Sequence, residues 1–240
     1  MSDAPASPPF TIAFEDEHLI VVDKGPGVVV HPARGHREDT LAQLLAPLLG
    51  GETGTREQRR GIVHRLDRDT SGLLVLARTD ESHRRLAAEL ARHAVEREYL
   101  ALVEGRPPAR SGTIEAPVGR DRRVRTRMAV GGAGAREART HFTLERALRE
   151  TTLLRLRLET GRTHQIRVHM RAIGHPVCGD PEYGTPGLLG LSRQFLHATR
   201  LAFEHPLTGE RVELSSPLPP DLSAALERAG TAGGAGGRVS

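Results

Sequence analysis

The sequence predicts an α+β fold, a mixed, mainly antiparallel sheet flanked by helices. Three observations lead there: hairpin signals outnumber strand–helix–strand units, strand and helix patterns alternate irregularly, and no internal repeat is present.

In chain order, residues 1–9 are small, polar and Pro-rich and read as a disordered tail. Ile12 to Phe14 and Leu19 to Val22 read as short strands joined by the polar turn Glu15-Asp16-Glu17-His18. Gly25-Pro26-Gly27 then turns the chain into Val28-Val29-Val30, and the three apolar runs together read as a small antiparallel sheet. Asp39 or Thr40 caps a helix carrying Leu41, Leu44, Leu45, Leu48 and Leu49, bent by Pro47 and stopped at Gly50-Gly51 before a polar loop over 52–60. Leu73 to Ala77 is a short buried strand, and Asp80 caps a helix with Leu86 and Leu90 inward and Arg84, Arg85 and Arg92 outward. Tyr99 to Val103 is a strand ending at Gly105. Arg120 to Arg139 is basic, Gly-rich and aperiodic, as a hairpin or flexible loop is, and strands resume at Thr140 to Glu145 and at the alternating Leu154, Leu156, Leu158. Thr163 caps a helix in which Ile166, Met170 and Ile173 form one apolar stripe, while His164, Arg167 and Arg171 share another face. A Gly/Ala-rich tail over 229–240 leaves one folded domain at 10–228.

Of the 34 basic residues against 30 acidic ones, only Lys24 is a lysine. Guanidinium groups stay charged and bond phosphate bidentately, so this arginine bias with pI ≈ 10.1 suits a nucleic-acid partner; a GC-rich genome would give the same bias. No apolar run reaches the roughly 18 residues of a membrane span, and the N-terminus lacks a signal-peptide pattern, which points to the cytoplasm. The single cysteine, Cys178, reads as core packing, and His164, His169 and His175 are spaced along a helix and the turn beyond it in a way that does not converge on a metal.

The segment Gly61-Ile62-Val63-His64-Arg65-Leu66-Asp67-Arg68-Asp69-Thr70-Ser71-Gly72 gathers charged groups of both signs between apolar runs. By itself it reads as a capped turn with solvated ion pairs, Arg65 bridging Asp69 among them, or as an active-site loop at the edge of a core. Its His-Arg-Leu-Asp and Thr-Ser-Gly resemble the signature of the RluA-type pseudouridine synthases. Three further stretches resemble that family in the same order: Arg97 to Val103 (REYLALV), Thr160 to His169 (TGRTHQIRVH) and Gly174 to Asp180 (GHPVCGD). Weaker echoes at Phe195 to Ala198 and His205 to Glu210 extend the likeness from about Phe14 to about residue 222.

The resemblance implies a pseudouridine-synthase-like fold with a central active-site cleft and an isomerase that turns uridine in structured ribosomal or transfer RNA into pseudouridine. It implies that Asp67 is the catalytic carboxylate, promoting breakage of the N-glycosidic bond, whether it attacks the ribose, adds to the ring or acts as a base on the sugar. Tyr99 matches the residue that stacks on the target base, and Arg167 matches the arginine partner of the carboxylate. Arg65 would touch the phosphate backbone or fill the space of the flipped nucleotide, and Arg122, Arg123 and Arg125, within the run Arg120 to Arg127, would close on RNA phosphates. No cofactor or metal is expected, RNA is the expected partner, and the protein is expected to work as a monomer. With Lys24-Gly25-Pro26-Gly27 where relatives read Lys-Pro-x-Gly, the first turn departs from the family pattern. Many relatives carry an S4-type RNA-binding domain before the catalytic one; about ten residues precede the first strand here, so target choice is expected to rest on the catalytic domain. Two other classes remain open. A non-catalytic RNA-binding factor needs only the arginines, and a nucleoside glycosidase would need a second carboxylate, for which only Asp69 is near in sequence.

Overall fold

The computed structural model describes residues 9–31, 40–49, 61–124 and 126–231. In chain order these form β1 (Phe10–Glu15), β2 (Leu19–Lys24), α1 (Leu41–Leu45), β3 (Ser71–Ala77), α2 (Asp80–Ala91), β4 (Glu96–Glu104), β5 (Ser111–Glu115) and β6 (Val118–Arg120). They continue with β7 (Met128–Val130), β8 (Ala133–Arg136), β9 (Arg139–Ala147), β10 (Thr151–Leu158), α3 (Gln165–Ala172), β11 (Leu196–Glu204), β12 (Arg211–Ser215) and α4 (Pro220–Thr231). The described residues fall into two compact units, one within Met1–Arg97 and Ala198–Ser216, the other within Glu98–His197 and Pro217–Ser240.

The first unit holds the strand order β1-β2-β3-β11, with β12 paired to β11. The β1–β2, β2–β3 and β11–β12 ladders are antiparallel, with Leu19 opposite Ala77 and Val21 opposite Val75. β2 and β3 are continuous apolar runs because both their faces are covered, and Leu19 to Val22 and Leu74 to Leu76 have no exposed surface. One face packs Leu19, Val21, Leu73 and Val75 against Leu86 of α2 and against Leu201 and Phe203 of β11. Each such side chain contributes roughly 1.5–3 kcal/mol through burial.

Three local expectations change in this unit. Val28 to Val30 is not a strand: the carbonyls of Val29 and Val30 accept from the Leu41 and Ala42 amides of α1, and that of Val28 accepts from Lys24, so none is left for a sheet ladder. The helix at 41–49 is α-helical only to Leu45 and continues as a 3-10 turn over Ala46–Leu48, with Pro47 inside it. Thr40 caps it through a reciprocal capping box with Gln43. α2 is capped by Thr79, whose hydroxyl accepts from Ser82 N at 3.1 Å; Asp80 sits in the first turn, where its charge favours the helix dipole. Asp39, Gly50-Gly51 and the 52–60 loop lie outside the described residues.

The second unit holds the order β4-β10-β9-β5, all antiparallel, with Tyr99 opposite Leu156 and Leu156 opposite Phe142. Of the hairpin or flexible loop expected after Arg120, the hairpin is formed: β6 and β7 pair antiparallel across the basic turn, and β8 pairs with the other edge of β6 to give a second, three-stranded sheet in the order β7-β6-β8. That sheet rests on α3 through Val118, Ala138, Val168, Tyr183 and Met128. α4 runs to Thr231, so the C-terminal tail cannot start at 229: Ala229 is buried one turn beyond Ala225, and small side chains here are packing surface rather than disorder. Asp221 in its first turn bonds the buried Arg193 at 2.7 Å. Cys178 is fully buried, as expected of core packing, and burial pushes its thiol up to about 12.

Candidate active site

The segment from Gly61 to Gly72 is held along β3 by its backbone. Ala77 N donates to Gly61 O at 2.8 Å, Ile62 bridges Leu76, and Val75 N donates to Nε2 of His64 at 3.2 Å. His64 is thus an acceptor at Nε2, which leaves the proton on Nδ1, an atom without a hydrogen-bond partner among the described residues. Burial, with the Arg97 charge second, pushes this imidazole down to about 3.

Beyond Asp67 the chain turns tightly, Thr70 N donating to Asp67 O at 3.1 Å. The next carbonyl, that of Arg68, accepts from the Lys24 ammonium at 2.8 Å. Lys24 is completely buried and also donates to Gly25 O at 2.7 Å and Val28 O at 3.0 Å. The altered Lys24-Gly25-Pro26-Gly27 turn therefore still delivers a lysine to the Asp67 loop. Gly72 closes the segment at φ +112°, and a Cβ there would lie 2.2 Å from Ala198 O, so only glycine admits this approach to β11. Asp67 stands half-buried between these anchors, while Arg65 is exposed and paired with no carboxylate among the described residues. The salt bridge to Asp69 that the sequence offered Arg65 is made by Arg68, at 2.9 Å.

Tyr99 and Arg167 lie in the second unit. Tyr99 sits in β4, 5% exposed. Arg167 is buried on α3, its Nε and Nη2 bonding Asp180 at 2.7 and 2.9 Å and Nη2 also reaching Glu182 at 2.9 Å. The guanidinium lies 4.9 Å from the centre of the Tyr183 ring. Asp180 is itself oriented by the Glu182 and Tyr183 amides, both donating to its Oδ1. This bidentate, charge-assisted arrangement fixes the plane of the guanidinium.

The cap of α3 differs from expectation: His164 occupies it in the left-handed conformation, φ 55°, without a side-chain cap bond. Gln165 does the anchoring that Thr163 was expected to do, accepting from Arg162 N and Thr160 Oγ1 while its amide donates to Arg139 O and Thr140 Oγ1. His169 reaches Ala116 O and Thr140 Oγ1, both at 2.9 Å, and burial lowers its pKa. The face of His164, Arg167 and Arg171 is realised as a single contact surface, since all three meet Tyr183.

At the tip between β6 and β7, Asp121 Oδ1 accepts from the amides of Arg123 and Val124, and Asp121 N donates to Arg127 O. Those backbone bonds hold the Asp121 carboxyl below its usual range. Arg122 and Arg123 are exposed, and the Arg123 and Arg127 charges also favour the ionised Asp121 carboxyl; Arg125 lies outside the described residues. Elsewhere in this unit Arg139 is neutralised by Glu115 and Glu159, and Arg155 by Glu98 and Glu145.

Sequence reasoning missed Lys24 as a brace, Asp180 and Glu182 as partners of Arg167, and Tyr183. The usable signals were a lone lysine among arginines and a second tyrosine in a chain with only two. Among the described residues no group of three or more His, Cys, Asp or Glu could hold a metal ion, and no helix is long and apolar enough to cross a membrane.

The model of the RNA pseudouridylate synthase family matches residues 18–172, which include the Asp67 loop, Tyr99 and Arg167. The chain belongs to this family. The RNA pseudouridylate synthases are isomerases acting on RNA, and so is this chain. It is 45% identical over 231 residues to the ribosomal large subunit pseudouridine synthase D of Zymomonas mobilis, covering 91% of this chain and 72% of that protein. It is 47% identical over 219 residues to an uncharacterized RNA pseudouridine synthase of Bacillus subtilis, covering 90% and 71%. Among solved structures, human RNA pseudouridylate synthase domain containing 1 is similar with a TM-score of 0.71 at 29% identity, over 92% of this chain and 90% of that one. Human RNA pseudouridylate synthase domain containing 4 shares the fold, with a TM-score of 0.73 at 23% identity over 91% and 92%.

Proposed function

We propose that this pseudouridine synthase converts specific uridines of structured ribosomal or transfer RNA, with Asp67 as the catalytic carboxylate. The observation that carries the reading is the Asp67 loop. A half-buried carboxylate sits on a turn whose flanking backbone is fixed by His64, Lys24 and Gly72, and a rigid turn of this kind presents one charge at a set position. Ribosomal RNA is favoured as the target class because several relatives are named as ribosomal large subunit pseudouridine synthases.

The bond between uracil N1 and ribose C1′ breaks, the freed uracil turns, and its C5 bonds to C1′ while the C5 hydrogen leaves as a proton and N1 takes one up. Nothing is oxidised or reduced and the same atoms are rejoined, so the reaction as written needs no cofactor or metal. Asp67 serves it ionised, as nucleophile or base. Tyr99 offers an aromatic surface for the extruded base, and Arg167, its plane set by Asp180 and Glu182, and the exposed Arg65 serve as substrate contacts. Arg122, Arg123 and Arg125 supply phosphate contacts, a role supported by the exposure of the first two at the tip between β6 and β7. We place the enzyme in the cytoplasm, acting as a monomer on RNA.

The test is tritium release from large-subunit ribosomal or transfer RNA transcripts carrying 5-tritiated uridine. The wild-type enzyme should release tritium in proportion to pseudouridine formed. Binding without release from either RNA would make it a non-catalytic RNA-binding factor, and free uracil would make it a glycosidase.

A further inference from the structure

Tyr183 is the residue where two parts of the second unit meet. Its hydroxyl accepts from Met128 N at 2.8 Å, at the first position of β7, directly opposite Arg120 in the β6–β7 ladder. Met128 therefore sits at the base of the turn that carries Arg122 and Arg123. The same hydroxyl is 2.9 Å from Nδ1 of His164, and either tautomer keeps that contact: an Nδ1–H donates, a bare Nδ1 accepts. The Tyr183 ring lies under the Arg167 guanidinium, and its backbone carbonyl accepts from Arg171. Tyr183 is 3% exposed, and burial pushes its phenol up to about 12, so the hydroxyl keeps its proton. A Phe would fill the same apolar space against Val118 and Val168. The hydroxyl must then be explained by its partners, one on the basic sheet and one at the left-handed cap of α3, three residues before Arg167.

We propose that Tyr183 is a positioning residue for RNA modification: its hydroxyl ties the basic β6–β7 sheet to α3 and its ring seats Arg167, so that the arginines holding RNA phosphate and the arginine assigned to substrate keep one fixed geometry. The inference rests on the reading that the basic tip contacts RNA. Removing only the hydroxyl leaves Arg167 seated but frees the base of the tip, weakening the hold on RNA. Removing the ring as well unseats Arg167.

The experiment compares Tyr183→Phe and Tyr183→Leu with wild type in three measurements. These are KM and kcat for tritium release from a 5-tritiated large-subunit ribosomal RNA transcript, filter binding of the same transcript, and amide hydrogen exchange at Met128. Tyr183→Phe should raise KM and weaken binding about fivefold, the worth of one neutral hydrogen bond, with kcat within about twofold and faster exchange at Met128. Tyr183→Leu should also lower kcat, by about tenfold or more, as expected if a cation–π contact that orients a substrate arginine is lost. Unchanged exchange at Met128 in Tyr183→Phe would overturn the tether, and faster exchange with unchanged RNA binding would overturn its role in RNA positioning. A variant that only lowers thermal stability, with KM, kcat and binding of the folded protein intact, would also overturn it. If the wild type bound the RNA without releasing tritium, the catalytic reading would fail, while binding and exchange would still decide the role of Tyr183; should Tyr183→Leu not fold, Tyr183→Phe decides alone.

Discussion

Replacing Lys24 by methionine keeps an unbranched side chain of similar length and removes the ammonium. In the native protein that ammonium is fully buried and donates to three backbone carbonyls, Gly25 O at 2.7 Å, Val28 O at 3.0 Å and Arg68 O at 2.8 Å. Each charge-assisted bond is worth about 1.5–3 kcal/mol, and several kcal/mol returns because methionine carries no charge to desolvate. The balance is a loss of roughly 2–4 kcal/mol, which for a chain of this size lowers Tm by roughly 5–12 °C. Urea unfolding with an unchanged m-value measures it. Lys24→Arg should destabilise as well, because a planar guanidinium cannot direct three donors from one atom at three carbonyls packed around it. A methionine variant within about 0.5 kcal/mol of wild type, below the worth of a single buried hydrogen bond, would refute the bracing argument, as would an arginine variant of native stability in a chain where every other basic residue is already arginine.

Two further perturbations follow from the same geometry. His64 is lowered from 6.5 to about 3 in the folded protein, so on acidification the unfolded chain takes up this proton first. Its stability contribution is complete above about 6.5 and falls as the pH drops below that value, by about 2 kcal/mol at pH 5; His64→Gln should flatten the fall measured by urea unfolding between pH 8 and 5, and an unchanged slope would contradict it. On the basic tip, Arg122→Ala and Arg123→Ala should each weaken RNA binding and reduce the slope of log affinity against log salt by about 0.7–1; a salt dependence identical to wild type would remove these residues from the phosphate contacts.

The readable part of the fold was the part whose pattern is set by local covering. β2 and β3 show as apolar runs because both faces are buried, and the α3 face of His164, Arg167 and Arg171 shows because the helix period places those three side chains together. What escaped was set by partners distant in sequence. Val28 to Val30 looks like a strand until the carbonyls are followed to α1 and Lys24. Thr163 looks like a cap until Gln165 is seen anchoring the turn to β9. At two of the three boundaries between the units no linker marks the division, because they fall within β4 and within β11; the third lies between Ser216 and Pro217. The site followed the same rule: the resemblance pointed to Asp67, Tyr99 and Arg167, yet Asp180, Glu182 and Tyr183 became partners of Arg167 only once α3 and the turn after it were in place.

The central claim is that Asp67 carries the chemistry. Pseudouridine mapping of ribosomal and transfer RNA from cells lacking the gene, complemented either with the wild-type chain or with Asp67→Asn, tests it most directly. The wild-type chain should restore one or a few pseudouridines and the Asp67→Asn chain, present at the same level and binding RNA, should restore none. Restoration of the same sites by Asp67→Asn would contradict the assignment.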